Sequence, residues 1–378
     1  MGQWNELYDK LVSKQKATCQ RVGTNIPYIP GENGRYRDVT DEPGAHSEGI
    51  TWWTNGFWAG LMWQLYDTTK HEPFRVSAES LENRLDEAMG EKFLGLHHDV
   101  GFQWLHTSVA NYRLTGNADS RRRGLHAAFI LAGRYNPAGR FIRAWNGKQT
   151  GRTIVDTMMN LPLLYWAGKE LDDPRFAYIA NSHADTAMNV TIRPDGSCNH
   201  IADLCPETGE YLANPGGQGY ASGSSWSRGN GWALYGFALC YRHTGEQRFL
   251  DAAKRVAHYF IANLAMNDWL PLVDFRAPAE PVRYDSSAGM IAACGMLEIA
   301  EHVPELEKAL YLESAKKTLL ACEKKFCNWD EDTDGIMYGG TAAYHSNVDL
   351  SAEKALIYGD YFFAEAVLRL LGKGFPIW

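Results

Sequence analysis

Two carboxylates in this 378-residue chain have neighbours that suit them to acid–base chemistry. Asp156 sits in TIVDTMMNLPLL, where apolar residues on both sides strip water from a carboxyl and favour its protonated form, as a general acid near neutral pH requires. Asp99 follows two histidines in GLHHDVGF, and a cationic imidazole beside it would keep that carboxyl ionised. Two acids pushed apart in this way can take different roles. The run His97-His98-Asp99 also reads as metal ligands. Adjacent side chains at a helix start are expected to diverge, however, and no HExxH or CxxC spacing completes a ligand set, so no metal is expected.

Further polar candidates are His200 in DGSCNHIAD, Gln218 in NPGGQGY and Arg228 in SSWSRGNGW. Arg228 has the fork geometry to grip a substrate carboxylate with two parallel bonds, or to hold Asp156. The GNG of the same stretch lacks the lysine and the preceding strand of a phosphate loop. Thirteen tryptophans are a heavy load, and Trp52, Trp53, Trp58, Trp104, Trp145, Trp226 and Trp232 fall in or near the polar clusters. Any one of them suits a core. Together they suit the flat C–H faces of a sugar, with Asp, Asn, Gln and His left for its hydroxyls.

The elements that would position these groups repeat. Six apolar, aromatic-rich segments start at Thr54, Asp99, Asp156, Ser227, Asp285 and Gly359. Each is too hydrophobic around its circumference for a surface helix and must be buried on both sides. Amphipathic, charged segments with apolar residues every three or four positions lie between them, from NELYDKLVSKQKATCQRV to LEKALYLESAKKTLLACEKKF. An inner ring of six roughly parallel helices inside an outer ring of six satisfies both sets. The expected fold is therefore all-α, an (α/α)6 barrel or six-hairpin toroid, with residues 1–378 forming one catalytic domain and the N-terminal helix closing the ring beside the last. Parallel inner helices would bring Asn55, Asp99, Asp156, Arg228, Asn230, Asp285 and Asp360 to one mouth, although Asp and Asn are also ordinary helix N-caps. Long loops at about residues 137–155, 191–226 and 328–358 would line that mouth.

Composition narrows the partners. With 45% hydrophobic and 22% charged residues the chain is globular, and 37 basic against 45 acidic side chains give a net charge of −8 with no basic run, which argues against nucleic acid. No stretch of 18 apolar residues suggests a membrane span, and the N-terminus lacks a secretory core. Seven scattered cysteines, Cys19 to Cys327, suggest reduced thiols and a cytoplasmic location. The chain is expected to act as a monomer or weak homo-oligomer.

The stretches TWWTNGFWAG, LHHDVGF, GRTIVDTMMNLPLLYWAG, SSWSRGNGWALYGFAL, YDSSAGMIAACGMLEIA and IYGDYFFAEAVLRL, in that order, resemble the unsaturated glucuronyl hydrolases of glycoside hydrolase family 88. The resemblance implies an (α/α)6 barrel that removes 4-deoxy-hex-4-enuronic acid from the non-reducing end of lyase-generated oligosaccharides. It implies that Asp156 is the acid/base, protonating C4 of the C4=C5 vinyl ether and then deprotonating the water that adds at C5. Asp99 becomes the second essential carboxylate, and Trp53, Trp145, His200, Gln218, Trp226, Arg228, Trp232 and Tyr344 line the sugar pocket. In SNVDLSAEK, Ser346, Ser351 and Lys354 resemble a cluster with which some relatives bind sulfate, so sulfated glycosaminoglycan disaccharides are the expected substrates. Asn55 and Gly217 depart from the family pattern, where Asp and His are frequent. The alternatives are an unsaturated rhamnogalacturonyl hydrolase of the related family 105, or an ordinary inverting glycosidase using Asp99 and Asp156.

Overall fold

In the computed structural model, which describes residues 2–41, 49–347 and 351–378, the helices alternate between fully and half-buried. They are α1 (Gly2–Val22), α2 (Phe57–Thr69), α3 (Glu72–Arg84), α4 (Asp86–Gly90), α5 (Val100–Trp104), α6 (Ala110–Thr115), α7 (Ala118–Ala132) and α8 (Leu161–Leu171), followed by α9 (Arg175–Thr191), α10 (Ser227–Thr244), α11 (Gln247–Ala265), α12 (Ser286–His302), α13 (Glu305–Phe326) and α14 (Ile357–Leu370). Every residue of α10 from Ser227 to Cys240, of α12 from Ser286 to Ala300 and of α14 from Ile357 to Leu368 is buried. By contrast α11 buries only a stripe, with Phe249, Ala253, Val256, Phe260 and Leu264 at three- and four-residue spacing. The apolar helices pack in a circle, α2 to α5–α6, α8, α10, α12, α14 and back to α2, while α1, α3, α7, α9, α11 and α13 pack outside it. The helix α1 lies against α14 and α3, as the closing position requires. Among the described residues no helix is long and apolar enough to cross a membrane.

Three local features depart from uniform hairpins. The second inner helix is broken into α5, a π-helical turn Leu105–Val109, and α6. The segment starting at Asp156 opens as a 3-10 turn, Val155–Met159, and α8 begins only at Leu161 with Pro162 in its first turn, where a missing N–H costs nothing. Short strands also frame the mouth. A hairpin pairs β1 (Tyr135–Asn136) with β2 (Phe141–Ile142), and an antiparallel sheet runs β3 (Arg152–Ile154), β4 (Ile201–Leu204), β5 (Tyr211–Ala213). Strands of two to four residues carry too few positions for a period-two pattern to be legible in sequence.

The inner helices are parallel, because their starts touch one another around one end. Trp53 before α2 packs on Tyr358 of α14 at 4.9 Å and on Phe102 of α5 at 5.4 Å, and Arg228 of α10 reaches Asp285 at the start of α12. The other end is sealed by the last residues of the chain: Gln64 donates to the Phe375 carbonyl, Arg113 to those of Pro376 and Ile377, and the Trp378 indole stacks flat on Phe362.

Asp360, expected at the mouth or as a helix cap, is neither. It lies inside the first turn of α14, fully buried, and accepts the Met337 and Ile336 N–H groups and the Tyr36 hydroxyl. Burial pushes its pKa up to about 6. An acid whose folded pKa lies above its unfolded value binds its proton more tightly in the fold, so its contribution is complete below about pH 4 and is lost as pH rises through about 6. In denaturation from about pH 4 to pH 7, the wild-type stability measured against Asp360→Asn should fall by about 2 kcal/mol.

Candidate active site

The β3–β4 pairing sets the central geometry. Ile154 pairs with Ile201, and the Val155 N–H donates to the His200 carbonyl at 3.0 Å, so the residues just beyond the two paired positions, Asp156 and His200, stand side by side. His200 Nε2 lies 3.5 Å from Asp156 Oδ2. The Asp156 side chain is 14% exposed, while its Oδ2 is buried and accepts no hydrogen bond. On the far side of the imidazole, Nδ1 accepts the Gln218 N–H at 3.0 Å. A neutral ring that accepts at Nδ1 carries its hydrogen on Nε2, facing the carboxylate. Trp226 at 4.5 Å and Trp145, edge-on at 6.3 Å, wall the imidazole.

Asp99 ends the turn before α5. Its Oδ1 accepts from Asn160 Nδ2 at 3.2 Å, and its Oδ2 lies 3.5 Å from His97 Nδ1 and 3.4 Å from His98 Nε2. The expectation that this triplet splays apart is wrong. The two imidazoles stack, and the three potential ligand atoms lie within 4.8 Å of one another, because the tight turn at Asp99 (φ −80, ψ 7) wraps consecutive side chains to one side. They are the one such convergent group among the described residues. Asn160 on Asp99 and Thr157 Oγ1 on His98 Nδ1, at 2.9 Å, make the same cluster a hydrogen-bonded brace. The expected cation beside Asp99 also needs correcting. Burial, reinforced by His97 nearby, holds His98 well below its usual pKa, so that ring is neutral.

Of the two roles expected of Arg228, holding Asp156 by a hydrogen bond is not seen. The side chain is 1% exposed; Nη1 donates to Asp285 Oδ2 at 2.6 Å and to the Thr341 carbonyl at 2.8 Å, and Nη2 donates to the Ala342 carbonyl. Its guanidinium carbon lies 4.6 Å from the Trp226 ring centroid and 5.2 Å from that of Tyr358. Nη1 is fully engaged, whereas the buried Nε has no partner, so the Nε–Nη2 edge of the guanidinium still has a donor to offer; the side chain makes no hydrogen bond to Asp156. A buried guanidinium demands a counterion, and Asp285, itself fully buried, supplies it instead of capping α12. Asn55 is likewise turned inward, donating to the carbonyls of Gly49 and Ile50.

The remaining candidates divide by depth. Trp53 is half-buried, whereas Trp232 is fully buried beneath it against Phe102 and Phe362, part of the floor and not of the wall. Gln218 Nε2 donates to Ala342 O, and the Tyr344 N–H donates to Gln218 O, tying the 340–354 loop to the site. Within that loop Ser346 Oγ is taken by the Ala343 N–H, Ser351 O accepts from Ala342 N, and Lys354 pairs backbone to backbone with Gly340. Residues 348–350 of SNVDLSAEK lie outside the described residues. Sequence reasoning missed Asn160, Thr157 and the pairing role of Asp285. Asn160 follows Asp156 by four residues, the one signal that could have drawn attention to it.

Comparison with known proteins places this geometry in a family. A profile of Glycosyl Hydrolase Family 88 matches residues 31–267. The unsaturated glucuronyl hydrolase of Bacillus sp. (strain GL1) is 33% identical over 97% of this chain and 96% of its own length. The unsaturated chondroitin disaccharide hydrolase of Streptococcus pneumoniae (strain ATCC BAA-255 / R6) is 33% identical over 84% of this chain and 82% of its own. The crystal structure of the Bacillus enzyme, described as responsible for the degradation of glycosaminoglycan, superposes with a TM-score of 0.89 at 32% identity, covering 97% of this chain and 96% of that one. The ring, the helix starts and the match along nearly the whole length agree: the chain belongs to glycosyl hydrolase family 88 and is a glycoside hydrolase.

Proposed function

We propose that this enzyme releases 4-deoxy-hex-4-enuronic acid from the non-reducing end of lyase-generated glycosaminoglycan oligosaccharides by hydrating the C4=C5 double bond. The observation that carries the reading is the Asp156 carboxyl: one oxygen buried without a hydrogen bond, 3.5 Å from Nε2 of a His200 ring that Trp145 and Trp226 flank. In this reading Asp156 gives its proton to C4, and the oxocarbenium character that develops at C5 draws in water, which the same carboxylate deprotonates. The C5 hemiketal opens, the acetal carbon loses the aglycon, and the sugar leaves as an open-chain keto acid. One acid/base serves every step. Asp99, held by Asn160, contacts the ring hydroxyls, with Trp53 and Tyr344 lining the pocket.

The choice of uronate and aglycon is supported by relatives named for unsaturated glucuronyl and chondroitin substrates; none of them points to the rhamnogalacturonyl or ordinary inverting alternatives. Ser346, Ser351 and Lys354 are the residues assigned to a sulfate on the second sugar. Lys354 is half-buried on the loop that Arg228 and Gln218 fasten at Ala342. The enzyme's site of action in this reading is the cytoplasm, from the seven scattered cysteines without CxxC spacing, with the chain acting there as one catalytic domain, a monomer or weak homo-oligomer.

Loss of the conjugated ultraviolet band from unsaturated chondroitin disaccharides should follow addition of enzyme. Asp156→Asn, which keeps the shape but cannot exchange the proton, should slow that loss at least about 100-fold, and an unchanged rate would sink the acid/base assignment. Gly217 has φ +96, and a Cβ there would lie 2.2 Å from His200 Nδ1. Gly217→Ala should therefore cost at least about 10-fold in kcat by pushing the imidazole off Asp156, with circular dichroism unchanged. Lys354→Ala should raise KM for a sulfated disaccharide about 10-fold and leave the unsulfated one alone, and equal effects on both would remove the sulfate assignment.

A further inference from the structure

A helix start leaves backbone N–H groups without partners, and the residue ahead of the helix ordinarily supplies an acceptor. Asp99 occupies that place for α5, yet its side chain caps nothing in its own helix. The acceptor comes from the neighbouring inner helix, where Asn160 Oδ1 takes the Phe102 N–H at 2.8 Å. The same amide spends its two hydrogens on the two acid-bearing segments, one on Asp99 Oδ1 and one on the Asp156 carbonyl, each at 3.2 Å. Asn160 is fully buried, and Gly101 makes room for it: a Cβ on Gly101 would lie 2.6 Å from both Asn160 Cα and Asn160 Oδ1.

We infer that Asn160 is a positioning residue for the reaction: it caps α5 from outside, so that the Asp99 carboxylate is turned to the pocket, and it fixes the spacing between Asp99 and the Asp156 turn. The inference rests on the proposed roles of those two acids. A cap alone would need only an acceptor. The donor side of the amide, aimed at a carboxylate and at the backbone of the acid/base, is what a purely structural residue would not require.

Two substitutions separate the roles. Asn160→Ala removes acceptor and donors; amide hydrogen exchange at Phe102 should accelerate, and kcat should fall about 10- to 100-fold with KM within about threefold. Asn160→Asp keeps the acceptor, removes the donors and sets a second negative charge beside Asp99, whose Oδ2 faces His97 and His98, with the Arg134 charge also acting on it. Phe102 should then stay protected while kcat still falls and the acid limb of kcat/KM moves to higher pH. Wild-type kcat and an unmoved acid limb in Asn160→Asp would overturn the inference, as would unchanged Phe102 exchange in Asn160→Ala. If the alanine variant does not fold, Asn160→Asp decides alone. A wild-type enzyme inactive on unsaturated disaccharides would defeat the substrate reading instead, and Phe102 exchange with the carboxyl 13C titration of Asp99 would still decide the bridge.

Discussion

A helix with no polar face can be stable only when other helices surround it, and this chain has several. Closing such helices into a ring, with amphipathic partners outside, buries each on both sides and leaves polar side chains only at their ends. Because the inner helices run parallel, those ends gather at one mouth, and there the folding problem changes character. Charged and amide groups that are shut away from water must find one another, since each one left unmatched costs on the order of 1–3 kcal/mol. Arg228 with Asp285, Asn160 with Asp99, and His98 with Thr157 are the pairings that result, each joining one inner hairpin to another.

Asp156 Oδ2 is one of several buried polar atoms near the mouth that accept or donate no hydrogen bond, with Arg228 Nε and Trp226 Nε1 among the others. It lies where β3 delivers the chain into the barrel, and β4 brings His200 beside it, so a two-stranded pairing of a few residues fixes the distance on which the chemistry depends. A buried acceptor without a partner is tolerated at a site where a ligand or a proton completes it. The imidazole, oriented from behind by the Gln218 N–H, turns Nε2 to the carboxylate and packs, tilted, on the tryptophan that also covers Arg228. The acid, its donor and the aromatic wall are thus set by one short sheet and one loop.

Much of this was legible in the residues. The apolar segments beginning near Thr54, Ser227 and Asp285 became α2, α10 and α12 nearly as read, because eighteen or so residues of one character leave little choice of element. Asp156 was singled out from its apolar neighbours, and β3 and β4 set it beside His200. What escaped was whatever depended on contact between distant segments. Asn160 carries no local mark beyond its spacing from Asp156, and the neutrality of His98 follows from burial beneath residues remote in sequence. The Asp285 counterion of Arg228 lies 57 residues away and carries no local sign of that pairing. The strands β3 and β4, decisive for the site, were too short to announce themselves.

The central claim is that water adds to C5 of the unsaturated sugar and not to the anomeric carbon. Turnover in water enriched in 18O, with the product reduced by borohydride before its carbonyl oxygens exchange, locates the incoming oxygen by mass spectrometry. Hydration driven by Asp156 predicts the label on C5. Label confined to C1 would contradict it and would mean that the enzyme breaks the glycosidic bond by direct displacement.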